Sequence, residues 1–414
     1  MKRTNYSSGA PLEEIEGYSR IVQTGPFVYV GGTTSVQPDG TMVGENDSYE
    51  QVKYVLEKLI RLILQTGAVK RDIISVKIYA TPEFDLKKGL RAYTQIFHEI
   101  QPLCTLVTIE RLNRPTQLVE IEMNAIAGCS TGADFCGIDL TRTNYSSGMP
   151  MEKSVGYSRM VKVGPFVYVG GTASVQPDES VYGEGDAAAQ KSYGKEKAIA
   201  LLKKAGASVN DIIKIKNYQT PDYKNCVKET TDDKGKEYMD LGSPVVTDVT
   251  IQGLSHPAQL IETEMFAIVG AGGSKKLPEW GTFDFRRKNY GMEGQETGCS
   301  SVVETGPFVY AGGAVPAQED GSIYGVDDSE KQEAYLLKKF LKMMEPAGIL
   351  PKDVVKCKSY TISEYDDLYT EDRTAYYEEI LKPVRPLYTG VCVPEVYPEQ
   401  AMILLEMMAV KGCR

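Results

Sequence analysis

Residues 3–39 read RTNYSSGAPLEEIEGYSRIVQTGPFVYVGGTTSVQPD, and residues 142–178 read RTNYSSGMPMEKSVGYSRMVKVGPFVYVGGTASVQPD. The two stretches are identical at 28 of 37 positions, which establishes an internal duplication. A third copy begins near Arg287 with RKNY (287–290) and continues as TGPFVYAGGAVPAQEDG (305–321), but GYSR has become Gly298-Cys299-Ser300-Ser301. The period of roughly 140 residues is too long for a solenoid unit, so each copy is expected to be a domain with its own core. Gly-rich segments at 128–133 and 270–276 mark the separations. They give expected domains at 1–135, 136–277 and 278–414, the last with a degenerate site.

Each copy follows one pattern. An alternating segment (18–23) and a second strand (27–30) flank Thr24-Gly25-Pro26, which reads as a hairpin. Val52, Val55, Leu56, Leu59, Ile60 and Ile63 recur at helical spacing, predicting a helix over 48–65, with counterparts at 187–204 and 329–346. A β-rich run follows at 72–79, matched by 211–218 and 353–360. A second helix is expected near 86–98; in copy 2 the corresponding KNCVKETTDDKGKEY is polar and poorly periodic. Strands at 106–109 and 118–126 close the unit. The order ββαβαββ predicts an α+β fold, a mixed sheet with both helices on one face, leaving the other face for neighbouring copies to cover.

Composition narrows the function. The chain has 414 residues, 42% apolar and 25% charged, with a net charge of −10. No run approaches the roughly 20 apolar residues of a membrane helix, and the N-terminus has no apolar signal-peptide core. Cytosolic residence and no membrane partner are expected. An acidic chain without a basic stripe is a poor partner for nucleic acid. Eight cysteines without a CxxC pair, and only two histidines, His98 and His256, predict free thiols and no metal site. No cofactor is expected.

The combination of GYSR, GPFVYVGGT, GAVKRDIISVKIYAT and QPLCTLVTIERL…QLVEIEMNAIAG, in this order and spacing, resembles the RidA (YjgF) family across each unit. The resemblance implies a chorismate-mutase-like fold. It also implies a trimer whose sheets form a central barrel, with ligand clefts between neighbours. One chain here supplies three subunits, so a monomer acting as a pseudo-trimer is expected. Catalytic members hydrolyse enamines and imines to ketones and ammonia, clamping the substrate carboxylate with an arginine just after a proline. At that position this chain has Cys104, Val246 and Tyr388, none of which offers a bidentate fork to a carboxylate. The resemblance therefore puts 2-imino acid deamination in doubt.

Candidate site residues remain. Tyr18 and Arg20, like Tyr157 and Arg159, stand two apart and share a face of an extended strand. Glu120 and Glu122, and Glu262 and Glu264, do the same. By the resemblance the tyrosine and the first glutamate line the cleft, and the glutamate positions or activates a water. Glu120, Glu262, Arg20 and Arg159 are the catalytic candidates, the arginines as a substitute anion contact or as structural ion-pair partners of a glutamate. Glu122 and Glu264 read as structural. Gly31-Gly32 and Gly170-Gly171 either let a ligand approach the backbone or mark a bulge. Thr33, Thr172, Thr105 and Thr247 add hydroxyls, and Cys104 is a wall residue or, less simply, a nucleophile. Copy 3 has Cys299, Ser301 and Leu404 at the Tyr, Arg and Glu positions, retaining only Glu406. One complete cleft, between copies 1 and 2, is the expectation. It would belong either to a small-molecule hydrolase or to a non-catalytic metabolite-binding protein. The acidic charge and the scarcity of histidines argue against RNA cleavage.

Overall fold

The computed structural model describes residues 1–226, 236–273, 282–292, 298–367 and 379–413. In the first repeat the elements are β1 (Arg3–Tyr6), α1 (Pro11–Ile15), β2 (Ile21–Thr24), β3 (Phe27–Thr33), α2 (Ser48–Leu64), β4 (Ile73–Ala80), α3 (Leu86–Phe97), β5 (Leu103–Thr108) and β6 (Val119–Ile126). They form a six-stranded sheet in the order β1-β2-β3-β6-β4-β5. Only β4 and β5 run parallel. The other two repeats build sheets of the same order. The mixed α+β character matches the sequence reading, with two additions: RTNY forms an outer strand, and PLEEI forms a short helix.

Local chemistry explains the elements. The hairpin turn needs a left-handed residue, and Gly25, Gly164 and Gly306 supply it at φ 56°, 55° and 55°. The Asp47 carboxylate accepts from the backbone N–H groups of Tyr49 and Glu50, capping α2. Strand alternation then sorts side chains. Val28, Val30, Val76, Ile78, Ile121 and Met123 face the helices and bury against Val52, Leu56, Ala92 and Phe97. Each such side chain contributes about 1.5–3 kcal/mol on burial. Phe27, Tyr29, Lys77, Tyr79, Thr105, Glu120 and Glu122 point the other way. In copy 2 the second helix is reduced to Tyr223–Cys226 and Lys236–Met239, and the run 227–235 lies outside the described residues. Part of the second linker, 274–276, also lies outside them.

The faces turned away from the helices meet across repeats. The backbone N–H of Ser158 donates to Pro102 O at 3.1 Å, that of Ser300 to Pro244 O at 3.1 Å, and that of Ser19 to Pro386 O at 3.0 Å. Repeat 1 therefore contacts repeat 2, repeat 2 contacts repeat 3, and repeat 3 contacts repeat 1. Phe27, Phe166 and Phe308, one from each repeat, pack edge to face with centroids 5.0, 5.0 and 5.9 Å apart. A second apolar cluster unites Tyr79, Tyr218 and Tyr360 with Val107, Val249 and Val391. Among the described residues no helix is long and apolar enough to cross a membrane.

The repeated RTNY acts between repeats. Arg142 Nη1 donates to Ile73 O at 2.8 Å and Nη2 to Ile100 O at 3.0 Å. Arg3 reaches Val354 O and Val384 O in the same manner, and Arg287 reaches Ile212 O. Arg142→Ala removes charge-assisted hydrogen bonds that join repeats 1 and 2. It is expected to destabilise the protein by about 1–3 kcal/mol in chemical denaturation; an unchanged midpoint would deny that role.

Candidate functional site

Between repeats 1 and 2, β5 of the first repeat lies against strand Phe166–Thr172 of the second. Leu103 bridges Ser158, and the backbone N–H of Gly171 donates to Thr105 Oγ1 at 3.0 Å. This brings Cys104 and Thr105 beside Tyr157, Arg159, Gly170, Gly171, Thr172 and Glu262. The cross-interface proximity is electrostatic as well: Glu262 raises, and Arg159 lowers, the Cys104 pKa. Tyr157 packs against the core of repeat 1.

Tyr18, Arg20, Gly31, Gly32, Thr33 and Glu120 do not join that cleft. They stand at the interface of repeat 1 with repeat 3, where Ser19 bridges Leu387 and Gly32 N donates to Thr389 Oγ1 at 3.0 Å. The Tyr/Arg/Glu set is therefore present in two clefts, not one. Thr247 belongs to a third, where it accepts from Gly313 N at 2.9 Å and donates to Glu406 at 3.1 Å. Tyr18 and Arg20 also precede the strand rather than lying within it, since β2 starts at Ile21.

The arginines are committed. Arg159 Nε pairs with Glu152 at 3.0 Å, Nη2 donates to Tyr157 OH at 3.0 Å, and Nη1 donates to Gly171 O. Arg20 repeats this with Glu13 at 2.9 Å, Tyr18 OH at 3.1 Å and Gly32 O. The ion-pair partner is thus a helix glutamate, not one from the closing strand. Ser7 and Ser8, or Ser146 and Ser147, also hydrogen-bond that carboxylate. Together they hold Glu13 and Glu152 below the usual glutamate range despite burial. Sequence reasoning missed this pair, although SSGxPxE stands unchanged in both copies.

Glu262 is buried and Glu120 half-buried. Burial raises both to about 7. For Glu262, Arg159 opposes and Glu264 adds to the rise; for Glu120, Glu122 adds and Arg20 opposes. A Cβ on Gly171 or Gly32 would collide with these carboxylates, so the glycines make room for them. A register shift at the same point makes each pair a bulge as well. Thr33 and Thr172 donate back to Gly31 O and Gly170 O at 3.0 and 2.8 Å. Burial lifts Cys104 to about 12, so its thiol stays protonated near neutral pH and is a poor nucleophile.

Glu122, Glu264 and Glu406 cross to lysines of neighbouring repeats. Lys358 donates to Glu122 at 2.6 Å, Lys77 pairs with Glu264, and Lys214 donates to Glu406 at 2.9 Å. Their structural role follows. Equal registers place Cys104, Val246 and Tyr388 opposite Val76, Ile215 and Cys357, so the three positions are equivalent and none holds arginine. Likewise Glu120, Glu262 and Leu404 oppose Tyr79, Tyr218 and Tyr360. Among the described residues no group of three or more His, Cys, Asp or Glu could hold a metal ion.

The model of the family described as Endoribonuclease L-PSP matches residues 9–127 and 150–269, more than half of the chain. An uncharacterized protein of Streptomyces coelicolor is 31% identical over 121 residues, 29% of this chain and 90% of its own length. A RutC family protein of Pyrococcus abyssi is 30% identical over 126 residues, 30% of this chain and 96% of its own. A solved structure of a YjgF/YER057c/UK114 family member from Mycobacterium tuberculosis is 32% identical, covering 30% of this chain and all of its own, with a TM-score of 0.28. Each of these relatives matches the length of a single repeat.

A glutamate titrating near 7 when folded and near 4.5 when unfolded keeps its proton in the native state while the unfolded chain loses it. Stability contributed at Glu262 therefore falls as pH rises from about 4.5 to 7 and then levels. Comparing Glu262→Gln with the parent between pH 4.5 and 7.5 should show the parent losing stability relative to the variant by on the order of 2–3 kcal/mol. Parallel curves would mean that Glu262 ionises normally.

Proposed function

Because this chain belongs to the RidA (YjgF) family, we propose that it is a small-molecule hydrolase of the deaminase type. It acts on an imine-, enamine- or enol-like metabolite in the cleft between repeats 1 and 2. We further propose that its three repeats work as a cytosolic single-chain pseudo-trimer around a central barrel. Cyclic contact among the repeats supports the second statement. The observation that carries the first is the buried Glu262 carboxyl, poised near 7 beside Tyr157 of its own repeat and Cys104 from across the interface.

A carboxyl with a pKa near the working pH is suited to general base catalysis. Glu262 takes a proton from water as the water oxygen bonds to the imine carbon. The C–N bond then breaks, and the nitrogen leaves as ammonia with the protons released from water, giving a ketone. Glu152 fixes Arg159, and Arg159 fixes Tyr157 at the cleft wall, so the arginine is a positioning residue rather than a free anion clamp. With no arginine at position 104, the cleft suits a substrate that does not depend on a carboxylate grip there.

The cleft between repeats 1 and 3 carries the same glutamate chemistry, but Tyr388 fills the position that Cys104 leaves small, with its hydroxyl donating to Ser359 Oγ at 3.0 Å. One working site per chain follows. The absent arginine also favours a second reading, a non-catalytic metabolite-binding or regulatory protein. His98 caps α3, and His256 accepts within its own turn from Ala258 N at 3.1 Å.

Ammonia release from freshly generated imines, with and without a carboxylate, tests the proposal. Glu120→Gln combined with Glu262→Gln should cut turnover by about 100-fold or more, and imines lacking a carboxylate should be preferred. Unchanged turnover in the double variant sinks water activation by these glutamates. Tyr388→Cys should raise ligand stoichiometry in calorimetry from one toward two; three equal sites in the parent would contradict a single working cleft.

A further inference from the structure

Among the described residues, the faces that the three sheets turn toward one another line a cavity of about 220 Å³ whose lysines the cleft chemistry does not use. Its charged walls are Glu122, Glu264 and Glu406 against Lys77, Lys214, Lys216, Lys356 and Lys358. The pairing is uneven. Glu264 holds Lys77. Glu406 is shared by Lys214 at 2.9 Å and Lys216. Glu122 is shared by Lys356 at 3.2 Å and Lys358 at 2.6 Å. Five lysines thus face three carboxylates in a chain whose net charge is −10; burial brings Lys216 down to about 7 and Lys358 well below the usual lysine range, so these two amines are poised to take up protons when an anion enters.

The surplus of lysines has a sequence origin. Two residues before the lysine shared by all repeats, repeats 2 and 3 carry Lys214 and Lys356 where repeat 1 has Ser75. Ser75 instead accepts from Asn124 Nδ2 at 2.9 Å. Lysines two apart on a strand point the same way, so each added lysine faces its like-charged neighbour. Burial, with Lys214 and Lys77 close by, brings Lys216 down to about 7 even though Glu406 pulls the other way.

A second feature points to a ligand. Tyr29, Tyr168 and Tyr310 line the same cavity. Burial pushes all three phenols above their usual range, so they remain hydroxyl donors at neutral pH. Lys214 and Lys356 keep 24% and 19% of their side-chain surface exposed, so their ammonium groups are within reach of solutes.

We propose that this cavity is a binding site for a small dianion, inorganic phosphate or a short dicarboxylate, held by Lys214 and Lys356 with the tyrosine hydroxyls as further donors. The site borders the cleft between repeats 1 and 2, sharing Leu103 and Thr105 with it, but the proposal does not depend on the hydrolase reading.

Calorimetry of the full chain at fixed ionic strength, with inorganic phosphate and separately with succinate, tests it. The parent should bind one equivalent of at least one of them. The double substitution K214S/K356S, which gives repeats 2 and 3 the residue repeat 1 already carries, should weaken that binding at least ten-fold. Glu262→Gln, in the cleft, should leave it unchanged. Binding of phosphate alone identifies an inorganic source, and binding of succinate alone a carboxylate metabolite. The proposal is overturned if neither binds, if K214S/K356S binds like the parent, or if Glu262→Gln abolishes binding. Should the double variant not fold, selenate soaked into crystals of the parent decides: an anomalous peak beside Lys214 and Lys356 is expected, and its absence there overturns the site.

Discussion

The interior of this protein is built around ion pairs that cross from one repeat to the next. Glu122 meets Lys358, Glu264 meets Lys77, and Glu406 meets Lys216, each lysine also donating to a tyrosine hydroxyl from the glutamate's own repeat. A buried pair is a poor source of net stability, because desolvation of both ions offsets most of their attraction. Losing one partner is costly, however, and that asymmetry favours the arrangement in which every glutamate finds the correct neighbouring repeat. Phe27, Phe166, Phe308 and the valine–tyrosine cluster supply the apolar burial.

That assembly is what creates the clefts. At Glu262, β5 of the first repeat lies over Gly170 and Gly171, and burial there raises the carboxyl to about 7. Repeat 3, which lacks the Tyr, Arg and first Glu, closes the far side of repeat 1 with Leu387 and Thr389.

Much of the fold was legible because its signals are local. The periodicity of Val52, Leu56, Leu59 and Ile63 marked α2 to within a residue, and the Gly25 turn marked the hairpin. RTNY was legible as a repeat but not as a strand, since four polar residues carry no alternation; their role lies in carbonyl groups of another repeat. The candidate site was legible in residue type and not in partnership. Glu13 stands seven residues before Arg20 in the unchanged SSGxPxE run, but that run carries no strand or helix periodicity that would aim it at the arginine. The division of the two Tyr/Arg/Glu sets between different clefts depends on which repeat covers which glycine pair. The lysine surplus was equally hidden, because Lys214 and Lys356 acquire meaning only when all three sheets share one interior.

The most direct measurement of the central claim is a disulfide trap at the contact that joins the first repeat to the third. Ser19 and Leu387 form a parallel bridge, a spacing within reach of a disulfide. In the variant carrying Ser19→Cys and Leu387→Cys, mild oxidation should link residues 19 and 387 within one monomeric chain, identified by peptide mass spectrometry. Linkage found only between chains, or no linkage at all, would contradict the meeting of the outer repeats on which the clefts depend.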